Sequence, residues 1–573
     1  MVAGLEEEKQ MSHISRRRFL QVAAQSSAVA LTAEMAVHTR AWSAPQPRPQ
    51  PQSQSQSANP NILVIIVDQM RYPQWFDEAG DLDQRLPNIA RVKQGAVNFT
   101  HHYAAATACT PSRACMLTGL YTHQHYCMIT QTSYLNTDFP TWGTNLRQFG
   151  YDTHWFGKWH VSDDCNGADP PYTYLEPYGF NTYTCPDPHG TPGQGLQVDD
   201  DIAVQFADWL KDTGSQATKP WCATVSFVNP HDIMFYPRLI PPEESNVPSV
   251  FSSLPPNYET RAELLAAHKP SLQQELIQAA NRQFGSMGYK PSDQQDWISM
   301  LDVYLYMHEL VDTQIGVVLD ALDAAPAVKA NTVVIFTADH GDYCGSHGLR
   351  GKGGAVYEES IRVPLCVKDY SGQLAAQPGA RTQLTSHIDL SSLLMTIAYG
   401  SGDWRSQSQY SHLAHRLDLL SIVQNPVAPG RDYILHTTDE PGLEEKIDVD
   451  YAPFSNDTPK HVICYRTNTG KFSTYSFWRE NTNEILTNGQ EVECYDYATE
   501  RGRLELDNIT DPSNALYVDL QNRLVNDALP NELREPVPDS MQDAQIEAMT
   551  QYLIDLGQGY RIHLPIIENG TSS

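Results

Sequence analysis

The chain has 573 residues, with 39 Lys and Arg against 68 Asp and Glu, and a formal net charge of −29. Such an acid excess repels phosphates before contact and excludes a general nucleic-acid partner. Apolar residues at 41% and charged residues at 19% exclude a disordered, collagenous or coiled-coil chain and leave an acidic globular enzyme as the expected class.

Ser15-Arg16-Arg17-Arg18-Phe19-Leu20 opens a mildly apolar stretch that Gln21, Gln25 and Glu34 interrupt, so no stable membrane span is expected here. No later run approaches the roughly 20 apolar residues a span needs. Ala41-Trp42-Ser43 has the small residues of a cleavage site, and 44–60 is a Pro/Gln/Ser tract that reads as a linker. Segment 1–43 resembles a twin-arginine export signal. That implies passage of a folded protein through the twin-arginine export machinery, to the periplasm or the exterior.

Past residue 60, apolar runs end repeatedly in ionisable residues. The run over 62–67, β-branched and Leu throughout, is predicted as a strand buried on both faces, and Asp68-Gln69 follows it. The run over 153–156 ends at Gly157-Lys158-Trp159-His160, that over 223–228 at Asn229-Pro230-His231-Asp232, and that over 333–337 at Ala338-Asp339-His340-Gly341-Asp342. A helix is predicted over 297–322, with Leu301, Leu305, Met307, Leu310 and Val311 on its apolar face. Alternating strands and helices predict an α/β domain with a mostly parallel central sheet flanked by helices. The ligand crevice of such a sheet lies beyond the carboxyl ends of its strands. One Asp after a strand is commonly a turn or cap residue; four ionisable clusters at four strand ends describe a site.

Cys109-Thr110-Pro111-Ser112-Arg113, followed by Leu117-Thr118-Gly119, predicts a helix capped by Thr110, with Pro111 at its permissive first position and Gly119 ending it. Cys109 then lies at a helix N-terminus, which favours an anion. Ten cysteines contain no CxxC pair, which leaves zinc ribbons and thioredoxin-like motifs unsupported. Cys165 and Cys185 are candidates for a bridge, and the others for buried small apolar residues.

The C-x-P-S-R and L-T-G segments resemble those of the type I sulfatases, on the alkaline-phosphatase-like fold. Gly157-Lys158-Trp159-His160 and Pro230-His231 resemble that family's lysine–histidine and second-histidine segments. Arg350-Gly351-Lys352-Gly353, with Tyr357-Glu358 and Arg362-Val363-Pro364, resembles its distal lysine segment, and His387-Ile388-Asp389-Leu390 the helix start that follows. The match runs in order over about 61–400.

The resemblance implies that a maturation enzyme oxidises Cys109 to formylglycine, whose hydrate is the nucleophile toward a small-molecule sulfate ester. Asp68, Asp339, His340 and the modified Cys109 would surround one divalent cation, with Asp339 also placed to take a proton. Lys158 and Lys352 would neutralise sulfate oxygens, His231 would protonate the leaving alcohol, and His160 would take a proton as sulfate departs. Arg113 would orient the nucleophile and neighbouring carboxylates. Two departures matter. Gln69, whose amide can still offer a carbonyl oxygen to the metal, stands where many sulfatases have a second aspartate, and His340 where many have asparagine; both are more like choline-sulfatase and phosphonate monoester hydrolase relatives. Calcium is the expected ion, with manganese the alternative because imidazole suits transition ions better. Asp342 and His347 are assigned to the surroundings of the metal. His101, His102, His123 and His125 are assigned structural or pocket-lining roles.

The resulting organisation is a signal over 1–43, a linker over 44–60, a catalytic domain over 61–424 and a smaller C-terminal domain over 425–573. An insert over about 236–296, partly helical at 262–284, is expected to shape the pocket. The C-terminal domain is expected to hold short antiparallel strands over 461–465, 470–478 and 491–497 and a helix over 541–556. Two rival functions remain: a phosphonate monoester or phosphodiester hydrolase on the same scaffold, and a non-catalytic anion-binding protein on a retired one.

Overall fold

A computed structural model describes residues 59–71, 79–162, 165, 170–238, 247–442 and 454–556. The export-type segment 1–43, the linker up to residue 58 and residues 239–246 of the insert lie outside the described residues.

The first strands are β1 (Asn61–Val67), β2 (Val97–Tyr103), β3 (Ala106–Thr107), β4 (Asp152–Gly157) and β5 (Asn181–Thr182). They are followed by β6 (Trp221–Phe227), β7 (Thr332–Ala338), β8 (Arg362–Asp369), β9 (Gly379–Arg381) and β10 (Thr385–Ser386). The large sheet runs β10-β2-β8-β7-β1-β6-β4-β5, with β9 paired to β2. β1 pairs in parallel with both β6 and β7, and β4 in parallel with both β5 and β6. β8 runs antiparallel to both of its neighbours, β7 and β2.

All seven residues of β1 are buried, because two cores cover the sheet. Ile62, Val64 and Ile66 pack into one and Leu63, Ile65 and Val67 into the other, as strand alternation requires. The second core also receives Ile202, Phe206 and Trp209 of α2 (Gln194–Asp212) and Val311, Ile315 and Val318 of α4 (Gln294–Ala324). The first receives Ala114 and Leu117 of α1 (Cys109–Thr118), together with Leu393, Leu394 and Ile397 of the Leu390–Tyr399 helix. The helix α3 (Ser271–Phe284) falls in the insert.

The smaller sheet consists of β11 (Tyr433–Thr438), β12 (His461–Thr467), β13 (Gly470–Trp478) and β14 (Ile485–Asp496), joined by antiparallel pairings. Its fifth member is β3, which adds in parallel to β11 through Ala106 opposite Thr437 and Thr107 opposite Thr438. The dipeptide that precedes the Cys109 segment is thus an edge strand of the second sheet. A helix over Asp539–Asp555 follows. Among the described residues no helix is long and apolar enough to cross a membrane. Cys165 and Cys185 form a disulfide, and the other eight cysteines are buried thiols.

Candidate active site

β7, β1, β6 and β4 are parallel neighbours, so their carboxyl ends meet at one edge. Asp68 follows β1, Asp339 and His340 follow β7, Lys158 follows β4, and His231 lies on the turn beyond β6. The helix α1 brings Cys109 to the same edge. It starts at Cys109 with Ala108 at its cap position, two residues before the expected start, and ends at Gly119 in the left-handed region. Thr110 is no cap: its hydroxyl donates to the His160 carbonyl at 2.8 Å and ties α1 to the lysine–histidine segment.

One ligand atom from each of Asp68, Cys109, Asp339 and His340 lies within 4.8 Å of the other three, and all four residues are buried. The Cys109 sulfur is 3.2 Å from His340 Nε2, 3.6 Å from Asp68 Oδ1 and 3.9 Å from Lys158 Nζ. His340 Nδ1 faces the Gly341 carbonyl at 3.0 Å. That bond uses the Nδ1 proton and leaves the Nε2 lone pair directed at the cluster. Two carboxylates and an imidazole converging on one buried point fit a divalent cation. Gln69 adjoins the cluster, its main-chain N–H donating to Asp339 Oδ1 at 3.0 Å. Its amide oxygen accepts from Lys352 Nζ at 2.7 Å, and its amide nitrogen donates to Asp342 Oδ2.

Arg113 locks the carboxylates. Its Nε donates to Asp339 Oδ2 at 2.9 Å and Nη2 to Asp68 Oδ2 at 3.0 Å, while Nη1 donates to the Lys158 carbonyl and Ser226 Oγ. Lys158 Nζ lies 2.8 Å from Asp68 Oδ2. Burial pushes the Asp68 carboxyl up, but the ammonium of Lys158, with Arg113 and Lys352, holds it well below the carboxylate range. Burial likewise works against the charge of Lys158, yet Asp68 beside it holds its pKa up. Both partners are ionised.

His160 and His231 are 1% and 0% exposed, and neither ring nitrogen of either has a hydrogen-bond partner. Burial, reinforced by the charge of Lys158, pushes both well below the usual histidine value. Four buried imidazole nitrogens without partners are costly and mark where a polar ligand belongs.

Every residue expected at the site is therefore brought to one sheet edge. Asp342 adjoins it through Gln69, whereas His347 does not: its Nδ1 lies 2.7 Å from Glu259 Oε2, and it groups with Glu359 and Glu505. Sequence reasoning missed three contributors in an irregular loop: Asp187, His189 and Gly190, where a Cβ would stand 2.6 Å from the His231 ring. Asp187 accepts the main-chain N–H groups of Trp159 and His160 at 2.7 and 2.6 Å. It also missed Asp199, which accepts from Val228 N and Asn229 N ahead of His231. The helix α2 was legible from Ile202, Phe206, Trp209 and Leu210 at helical spacing, and Asp199 lies on it. On the insert side, Ala280 and Phe284 of α3 line a cleft with Lys352, Met234 and Phe454.

The sulfatase family model matches residues 60–401. The chain is 27% identical over 337 residues to the uncharacterized sulfatase YidJ of Escherichia coli, covering 54% of this chain and 62% of that protein. It is 25% identical over 363 residues to the choline-sulfatase of Rhizobium meliloti, covering 59% and 67%. Among solved structures, the phosphonate monoester hydrolase SpPMH from Silicibacter pomeroyi superposes with a TM-score of 0.61 at 22% identity, over 84% of this chain and 96% of that one. A family model that spans more than half of the chain, met by its expected residues at one sheet edge, has one reading: the chain belongs to the sulfatase family.

Proposed function

We propose that this protein hydrolyses sulfate monoesters to sulfate and an alcohol. The observation that carries the reading is the convergence of the Cys109 thiol, two carboxylates and His340 beside two buried histidines whose ring nitrogens have no partner. In this reading Cys109 would be matured to formylglycine by a modifying enzyme, and Asp68, Asp339 and His340 would hold a divalent cation that lowers the pKa of the formylglycine hydrate, the nucleophile. Calcium is the favoured ion and manganese the alternative.

The remaining work belongs to the side chains. Arg113 holds Asp68 and Asp339 in fixed geometry through charge-assisted bonds. Lys158 and Lys352 supply preorganised positive charge for the sulfate oxygens, so that little rearrangement is needed as charge moves to the leaving oxygen. Asp339 accepts a proton from the attacking hydroxyl. His231, held neutral by burial and the charge of Lys158, gains proton affinity when the sulfate anion lies beside it, and gives a proton to the leaving alcohol oxygen. His160 takes a proton as sulfate is released.

The catalytic domain of this reading runs over 61–424, completed by the smaller domain over 425–573. The arginine-led segment before the linker supports export through the twin-arginine machinery, to the periplasm or beyond. A second reading, cleavage of phosphonate monoesters or phosphodiesters, is favoured by one observation: Gln69 and His340 replace the commoner aspartate and asparagine.

Two measurements test the proposal. Peptide mass spectrometry across Cys109, on protein made beside a modifying enzyme, is expected to show the aldehyde. Turnover of matched sulfate, phosphate and phosphonate esters is expected to favour sulfate. Full activity with unmodified cysteine would refute the nucleophile, and a phosphodiester preference would replace the first reading by the second.

A further inference from the structure

Asp187 and His189 lie outside every motif used so far, yet both bear on His160. His160 sits in the left-handed region, at φ 60°, a conformation unfavourable for any residue with a Cβ and kept only where its surroundings enforce it. The enforcing group is Asp187, 4% exposed, whose two carboxylate oxygens take the consecutive N–H groups of Trp159 and His160 that lead into that turn. The same Oδ2 lies 3.4 Å from His189 Nε2. The His189 ring in turn stacks on that of His160, with centroids 5.0 Å apart and planes 23° from parallel. One carboxylate thus pins the backbone of His160 and lies beside the ring stacked on its side chain. With no hydrogen bond to either nitrogen of His160, only packing sets the direction of its imidazole.

We infer that Asp187 and His189 are a positioning pair for His160: Asp187 pins the left-handed turn, and the His189 ring fixes the plane of the imidazole that takes the proton during sulfate release. The inference rests on the sulfate-ester reading. His189 itself exchanges no proton; its contribution is a flat surface in a fixed place. A ring free to swing in the site would spend less time at the required angle, which lowers turnover without weakening substrate binding.

The test compares His189→Ala with His189→Phe, which keeps a flat ring. Three quantities are read: kcat and KM for an aryl sulfate, the thermal midpoint, and the histidine ring resonances of isotope-labelled protein. The His160 signal is identified by its loss in His160→Gln. The expected result is a fall in kcat on the order of 10- to 100-fold in His189→Ala, with KM and midpoint unaltered and the His160 signal shifted or broadened. His189→Phe is expected to recover most of the lost turnover and the wild-type signal. A Phe variant as impaired as Ala would make His189 a proton carrier and overturn the inference. So would a loss that tracks a lowered midpoint, or an unaltered His160 signal in the Ala variant. If wild-type protein cleaves no sulfate ester but the signal responds as expected, the positioning pair stands and the sulfate-ester reading falls.

Discussion

Among the described residues, two of the buried ionic clusters differ in what they leave unsatisfied. The first surrounds Asp68, Cys109, Asp339 and His340; the second contains His347, Glu359 and Glu505. In the second, charge is answered from within. Lys471 pairs with Glu505, Arg466 lies 3.1 Å from Glu358, and Lys269 donates to Tyr495 Oη and lies 3.7 Å from Glu259. Glu505 also accepts from Tyr497 Oη and from the Glu358 amide, and His347 stacks on Tyr357 with centroids 3.5 Å apart. Its leftover acceptors, Glu359 Oε2 and Asn257 Oδ1, belong to residues lining a polar cavity. The first cluster is just as well paired through Arg113 and Lys158, but it is flanked by two imidazoles with no hydrogen-bond partner among the described residues. Burial and charge do not by themselves separate a reaction centre from a structural brace; between these two clusters, the imidazoles without hydrogen bonds do.

Substitutions should pull the two clusters apart. Cys109→Ala is expected to lower turnover of a sulfate ester by at least about 10⁴-fold with the thermal midpoint kept, whereas Glu505→Gln should leave turnover per folded molecule intact. Equal losses from both would erase the distinction. Arg113→Met leaves Asp68 and Asp339 without their shared partner in a buried site, and Lys471→Met does the same to Glu505. Each is expected to cost about 3–5 kcal/mol in chemical denaturation, but only the first should also abolish retention of divalent metal, read by elemental analysis.

Acid should weaken the second cluster in a defined window. Burial pushes Glu358 up, but Arg466 and Arg362 bring it down to about 2, below an unfolded glutamate at about 4.3. Its contribution is therefore complete above the unfolded value and is lost as pH falls from about 4.3 toward 2. The slope of stability against pH in that range should flatten in Glu358→Gln. The smallest effect belongs to the exposed pair Arg479 and Glu484: Arg479→Ala should leave the midpoint where it was, and a clear fall would mean that pairing in either cluster has been ranked wrongly.

The sequence disclosed the site's chemistry far better than its support. Strands β1, β6 and β7 announce themselves as apolar runs because both faces are covered, and each is followed closely by its functional residues. The Asp187–Gly190 turn carries no periodicity, and its anchoring of His160 joins residues 27 apart through backbone N–H groups that any residue would supply. Gln69 was read as a possible metal ligand because its amide can offer an oxygen. Only the fold shows Lys352 already donating to that oxygen. Thr110 was read as a cap by residue type, while its hydroxyl is used across the site instead. A two-residue strand such as β3 has no pattern to read.

That short strand sets a clock. Thr107 meets His436, 329 residues further along the chain, and Cys109 is wholly buried once the structure is complete. At the 5–20 residues per second of synthesis, roughly 15 to 65 s pass before the partner of β3 exists. Throughout that interval the edge beside Cys109 stays open, and any enzyme that must reach the thiol competes with the arrival of β11.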